Sequence, residues 1–197
     1  MTADPSEDAA WISVETPLSP VQLQRFIEDL ERLYRINSLL EVERWEPLGQ
    51  DRVSFEALNL SNGKQEKSEL RVERIDNGIR VNYQRLLKSS TRFEVAQATA
   101  NGSCLTITDD YSGTEESQRR RRLDEVDRSL NQWGRDMHSY LQSWHRWSWL
   151  PPWRWYMEKI WQPMKPSARR ITRWIVLITL VEMMLILLLI AILVIEQ

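Results

Sequence analysis

The last apolar stretch of the chain, Trp174 to Ile195, reads WIVLITLVEMMLILLLIAILVI and constrains everything that precedes it. As a helix its 22 residues measure roughly 33 Å, enough to cross a hydrocarbon layer of roughly 30 Å. Sixteen positions are Leu, Ile or Val, each favouring insertion by roughly 0.3–0.6 kcal/mol near a helix centre, against about 3 kcal/mol for the one acid, Glu182. The stretch therefore predicts a single transmembrane helix; a core helix of a soluble domain is usually shorter and keeps a polar stripe. Only Glu196 and Gln197 follow, so a tail-anchored protein is expected. Lys165, Arg169, Arg170 and Arg173 lie just before the span and no base lies after it, which places the N-terminal side in the cytoplasm. The opening MTADPSEDAAWISV has neither the basic nor the apolar region of a signal peptide. The expected location is the cell inner (plasma) membrane, crossed once, with the bulk of the chain cytoplasmic.

The residues ahead of the span amount to one domain of ordinary size. With 26 basic and 28 acidic side chains the formal charge is −2, so the excess of bases that nucleic-acid binding requires is missing and no nucleic acid is expected as a partner. A single cysteine, Cys104, excludes an internal disulfide and reads as a buried structural thiol in a reducing compartment. The two histidines, His138 and His145, share a helix face but lack a third ligand at metal-type spacing, so no metal is expected. There is no Gly-rich phosphate loop and no Ser nucleophile elbow; no cofactor and no catalytic residue are assigned.

In chain order, residues 1–8 form an acidic tail, and Ala9 to Thr16 alternate as a strand that stops at Pro17. Ser19, Pro20 and Gln22 make the N-cap, first helical position and capping box of a helix running to about Tyr34, with Leu23, Phe26, Ile27, Leu30, Leu33 and Tyr34 facing inward. From Leu39 to Tyr111 the period is two. Turn signals at Pro47-Leu48-Gly49, Ser61-Asn62-Gly63, Asp76-Asn77-Gly78 and Asn101-Gly102 predict antiparallel strands at about 39–46, 52–60, 65–75, 79–86, 91–99 and 103–111. One face of that sheet is apolar (Phe55, Leu70, Val81, Phe93, Ile107) and the other wet (Glu56, Arg71, Arg80, Glu94, Thr106). Thr114, followed by Glu115 and Glu116, then starts a helix to about Trp147. Its stripe, Leu123, Val126, Leu130, Trp133, Met137, Leu141 and Trp144, covers the apolar face. Arg119 to Arg122 read as a solvated surface, with Arg120–Asp124 and Arg121–Glu125 as i,i+4 pairs.

Strand, helix, six antiparallel strands and one long helix, with the segments VETPLSPVQLQRFIEDLERL and NGSCLTITDDY, resemble the START-like or SRPBCC superfamily and its polyketide cyclase/dehydrase-like members, from Ala9 to about Trp147. The resemblance implies an α+β helix-grip fold, an antiparallel sheet wrapped around a long C-terminal helix, and a cavity between the two that takes an apolar ligand such as a lipid, quinone or isoprenoid. Phe55, Val72, Val81, Tyr83, Phe93 and Ile107 would line its sheet side, and Leu130, Trp133, Met137 and Leu141 its helix side. The alternative is that these side chains simply fill a core. Domain bounds follow as a flexible tail 1–8, the START-like domain 9–148, a Trp-rich juxtamembrane segment 149–173 and the span 174–195.

The collar around Pro151-Pro152 is the most distinctive composition in the chain. Trp144, Trp147, Trp149, Trp153, Trp155 and Trp161 are interleaved with Arg146, Arg154 and Lys159. Indole rings favour the headgroup region and bases meet anionic lipid there, so this segment is expected on the membrane surface, with docking to a membrane protein as the rival. Within the span, Thr179 and Glu182 share a face about 12 Å deep at the acid, a polar ridge suited to a partner helix. Three functions remain open on sequence: a membrane-anchored domain binding an apolar ligand, an accessory or assembly subunit of a membrane complex, and a cyclase- or dehydratase-like enzyme, the last on family analogy alone.

Overall fold

A computed structural model describes residues 9–84, 86–98, 102–112 and 123–195, the side chains of 123–128 and 193–195 excepted. The expected tail, the Thr114 cap with its acids, and the Arg119 to Arg122 pairs lie outside these residues. The elements are β1 (Ala9–Thr16), α1 (Pro20–Ile27), α2 (Leu30–Ile36), β2 (Leu40–Pro47), β3 (Arg52–Asn59), β4 (Lys64–Ile75), β5 (Gly78–Tyr83), β6 (Ser90–Gln97), β7 (Ser103–Asp110), α3 (Leu123–Trp147), α4 (Pro151–Tyr156) running into a π-helical turn at Met157–Trp161, and α5 (Pro166–Ile195).

The strands form one seven-stranded antiparallel sheet in the order β1-β7-β6-β5-β4-β3-β2. Hairpins join β2 through β7 in sequence, as the Asn-Gly turns require, and β1 pairs with β7 from Ala9 opposite Asp110 to Thr16 opposite Ser103. Gly78 closes the tightest of these joints: a Cβ there would lie 1.8 Å from the Phe93 carbonyl oxygen of β6. Period-two alternation sends Phe55, Ala57, Leu70, Ile79, Val81, Phe93, Leu105 and Ile107 inward, all buried, onto Leu130, Trp133, Met137 and Leu141 of α3. The long helix lies along β1, close enough that a Cβ on Gly134 would meet Ile12 Cδ1 at 2.3 Å.

The structure departs from the sequence expectation in three places. The helix expected from Pro20 to Tyr34 is two helices. Asp29 breaks it, its carboxylate accepting from Arg32 N at 3.1 Å and capping α2, because a short acidic side chain gains more at a cap than inside a helix. The inward spacing survives the break, which is why periodicity alone does not reveal it. In β2 a bulge between Val42 and Arg44 resets the alternation, so that Trp45 turns inward and packs edge-on against Phe55. Finally, the last helix begins at Pro166, eight residues ahead of Trp174. Proline is preorganised for the first helical turn, and hydropathy marks the apolar part of a helix rather than its ends. This helix is long and apolar enough to cross a membrane, and its most apolar window is not buried against the domain.

Candidate functional site

A cavity of ≈110 Å³, open at one side, lies between α2, the inner face of the sheet and α3. Aromatic rings wall it. Tyr34 of α2 packs against Phe55 and Trp133 at 5.4 and 5.5 Å, and the Trp133 indole N–H is tied down by donating to the Leu33 carbonyl at 3.0 Å. These contacts hold both rings in place without using the polar atoms that face the cavity.

Along one wall runs a chain of hydrogen bonds. Lys88, in the β5–β6 connection, donates to both Asp109 oxygens, at 3.0 and 3.2 Å. Thr91 of β6 donates to the same carboxylate and Tyr111 reaches it at 3.4 Å. Tyr83 of β5 bonds Thr91 Oγ1 at 2.8 Å, and Tyr34 bonds Tyr83. The Lys88 ammonium also lies 5.1 Å from the Tyr83 ring centre and 5.2 Å from that of Trp133, within range of attraction to both π faces. Burial alone would pull the Lys88 pKa down, but the Asp109 carboxylate, with Tyr83 and Tyr111, outweighs it and the ammonium is held charged. Burial raises the hydroxyls of Tyr34, Tyr83 and Tyr111. At neutral pH the wall is therefore a charged pair and three neutral phenols. It can bind and orient a ligand, while Lys88 and the three phenols keep their protons well above pH 7.

Of the ten residues expected to line a cavity, Phe55, Tyr83 and Trp133 do so. Val81, Phe93, Ile107, Leu130, Met137 and Leu141 are buried in the packed core, and Val72 packs at its margin. Tyr34, Lys88, Thr91, Asp109 and Tyr111 are absent from the sequence-derived set. A signal for one of them existed: Asp109 falls in the inward phase of β7, after Leu105 and Ile107, where an acid must be paired to be tolerated. His138 turns to the Glu15 carbonyl, 3.0 Å from Nδ1, and no group of potential metal ligands forms among the described residues.

The Trp collar divides in two. Trp144 stacks on Tyr140, with ring centres 5.9 Å apart and planes 12° apart, Trp161 packs against Tyr140 at 5.4 Å, and Trp153 closes on Trp144 at 5.7 Å. Trp147, Trp149 and Trp155 point outward, 41%, 72% and 58% exposed. Behind the inward rings, Arg169 of α5 lies 4.0 Å from the Trp161 ring centre and donates to the carbonyls of Trp161 (3.0 Å), Gln162 (2.8 Å) and Arg35. Lys165 pairs with Glu41 of β2 at 2.6 Å. Arg169 thus ties α5 to the domain and Lys165, just ahead of it, adds a surface ion pair, while Arg170 and Arg173 are exposed, as are Thr179 and Glu182 further along.

No protein-family profile matches the sequence, and no curated protein matches it. Solved structures do. A START superfamily protein from Mycobacterium smegmatis aligns with a TM-score of 0.53 at 14% identity, over 68% of this chain and 96% of that one. A protein from Thermus thermophilus aligns at 0.51 and 17%, again over 68% and 96%. The di-domain ARO/CYC StfQ from the steffimycin biosynthetic pathway aligns at 0.51 and 9%, over 71% of this chain and 52% of that one. At such identities the likeness is one of fold: the seven-stranded sheet with α1, α2 and α3 has the START-like helix-grip architecture that the sequence resembles.

Proposed function

We propose that this chain is a membrane-anchored START-like domain that binds the head of an apolar molecule from the adjoining bilayer, a lipid, quinone or isoprenoid, in the cavity beside Tyr34 and Lys88. The observation that carries this reading is a cavity inside the helix grip of a domain bolted, through Arg169 and Lys165, to a helix long enough to cross a membrane. Sites that enclose a drug-sized molecule run to roughly 300–1,000 Å³. A volume of ≈110 Å³ favours a head group with its tail left outside over a whole lipid taken in. In this reading α5 crosses the inner (plasma) membrane once, the domain faces the cytoplasm, and exposed Trp147, Trp149 and Trp155 meet the headgroup layer beside Arg170 and Arg173.

A second reading, an accessory or assembly subunit of a membrane complex, is favoured by Glu182, an acid on the exposed face of an otherwise apolar helix. A cyclase- or dehydratase-like activity gains nothing comparable, because Asp109 is already satisfied by three donor groups. The deciding experiment is purification of the full-length protein in mild detergent, native mass spectrometry, and extraction of bound small molecules. A stoichiometric amphiphile, lost when Ser129 at the cavity wall is replaced by Phe, is the expected result. Copurifying membrane subunits with an empty domain, released by Glu182→Leu, would instead establish the second reading.

A further inference from the structure

We infer that the cavity recognises a hydroxyl group, so that the ligand of the proposed site carries an alcohol or phenol head rather than a quinone, carboxylate or phosphate; this rests on the reading of the cavity as a binding site. The argument is one of hydrogen-bond direction. Ionised Asp109 can only accept, so the single Thr91 proton goes to it. Thr91 Oγ1 must then accept from Tyr83, which commits the Tyr83 proton. The bond between the two phenols must in turn use the Tyr34 proton. Every donor in the chain points toward Asp109, and the Tyr34 oxygen at its far end is left with lone pairs that receive no donor among the described residues.

One helical turn away, Asn37 supplies the opposite function. Its side-chain oxygen accepts from Leu39 N at 3.0 Å, which fixes the amide orientation and leaves its NH₂ without a partner among the described residues. Tyr34 and Asn37, three residues apart on one face, therefore present an acceptor and a donor to the same space. A hydroxyl satisfies both at once. An ether or quinone oxygen can only accept and would leave Tyr34 unmet. Anions are opposed further: Lys88 is already neutralised by Asp109, and Glu66 adds a carboxylate to the lining.

The test uses full-length protein in mild detergent and fluorine NMR of 4-fluorophenol, 4-fluoroanisole and 4-fluorobenzoate, with empty micelles and Ser129→Phe as blanks for partitioning outside the cavity. The expected result is binding of 4-fluorophenol about tenfold tighter than 4-fluoroanisole, with no binding of the benzoate, and a ratio falling to about one in Tyr34→Phe. Tyr34→Phe removes only the terminal hydroxyl of the chain, and retained fluorine shifts for 4-fluoroanisole report that its cavity is intact. Equal affinity for phenol and anisole in the wild type, or a ratio that Tyr34→Phe leaves unchanged, overturns the hydroxyl assignment alone. Failure of every probe to bind beyond the blanks overturns the binding-site reading with it. A 4-alkylphenol placed in a nanodisc bilayer that binds more tightly than the free fluorophenol identifies the membrane as the source; equal affinity identifies a free small phenol or alcohol.

Discussion

A carboxylate withdrawn from water costs several kcal/mol unless it is paired and hydrogen-bonded. Asp109 is 5% exposed and is met by Lys88, Thr91 and Tyr111, so the charge is held by its neighbours rather than by solvent. Asp109→Asn leaves the Lys88 ammonium buried without a counter-charge and should cost about 3–5 kcal/mol, whereas Asp109→Asn with Lys88→Met should recover a large part of that loss. Urea unfolding followed by tryptophan fluorescence measures both. Tyr140 makes a contrasting case. Burial pushes its hydroxyl up to about 12 from an ordinary 10.0, against the pull of Arg32, and its oxygen has no hydrogen-bond partner among the described residues. Between those two values the folded chain holds a proton that the unfolded chain has released. The associated stability is therefore intact below about pH 10 and lost as pH climbs toward 12, at up to about 1.4 kcal/mol per pH unit. Tyr140→Phe should remove this part of the alkaline decline while leaving stability at pH 7 unchanged or up to about 1 kcal/mol higher, as pH-dependent melts would register.

The joint between the domain and α5 is built at helix ends, where carbonyls have acceptor capacity to spare. Arg35 sits in the last turn of α2, and Trp161 and Gln162 lie at the end of the π-helical turn; Arg169 donates to all three carbonyls, a cation placed against the negative ends of two helical segments. Replacing it with Ala should cost about 2–4 kcal/mol of local stability, seen as faster hydrogen exchange of residues 157–166, and Arg169→Lys should restore only part, because the three donors of an ammonium share one nitrogen and cannot reach acceptors that Arg169 meets with three separate nitrogens. The span-proximal bases could be read from sequence as topogenic charges, but Lys165 and Arg169 also fasten structure. That second role depends on residues 124 and 134 positions away, Glu41 and Arg35, which no local pattern connects to them. Strand positions and faces were legible in detail because alternation and Asn-Gly turns are local. The break at Asp29 was not, since the inward spacing continues across it, and neither was the bulge after Val42, which shifts the phase of β2 while leaving alternation intact on either side.

For the molecule as a whole, charge is distributed unevenly. Residues 144–173 hold seven Lys and Arg against one acid in a chain whose formal charge is −2, so the remainder is acidic. If α5 crosses an anionic bilayer as proposed, that bilayer would draw the basic residues of the collar toward it. Because the contacts of Arg169 belong to the fold, a chain ended after Arg173 should melt about 5–10 °C higher than one ended after Pro163, which lacks both Lys165 and Arg169; scanning calorimetry of the two distinguishes a last helix whose start stabilises the domain from one merely tethered to it. The sequence by itself determined most of the elements, the inward face of β3 to β7, the capping box at Ser19 and a helix long and apolar enough to cross a membrane, because each is a matter of spacing or composition within a few turns of chain. Only the tertiary structure decided that β1 closes on β7, that most of the expected cavity is packed core, that half of the collar tryptophans turn inward, and that Tyr34, Tyr83, Lys88 and Asp109 meet at one wall. Those outcomes depend on which distant side chains compete for the same volume and the same hydrogen bonds, and that competition is settled only when the sheet and the long helix close on each other.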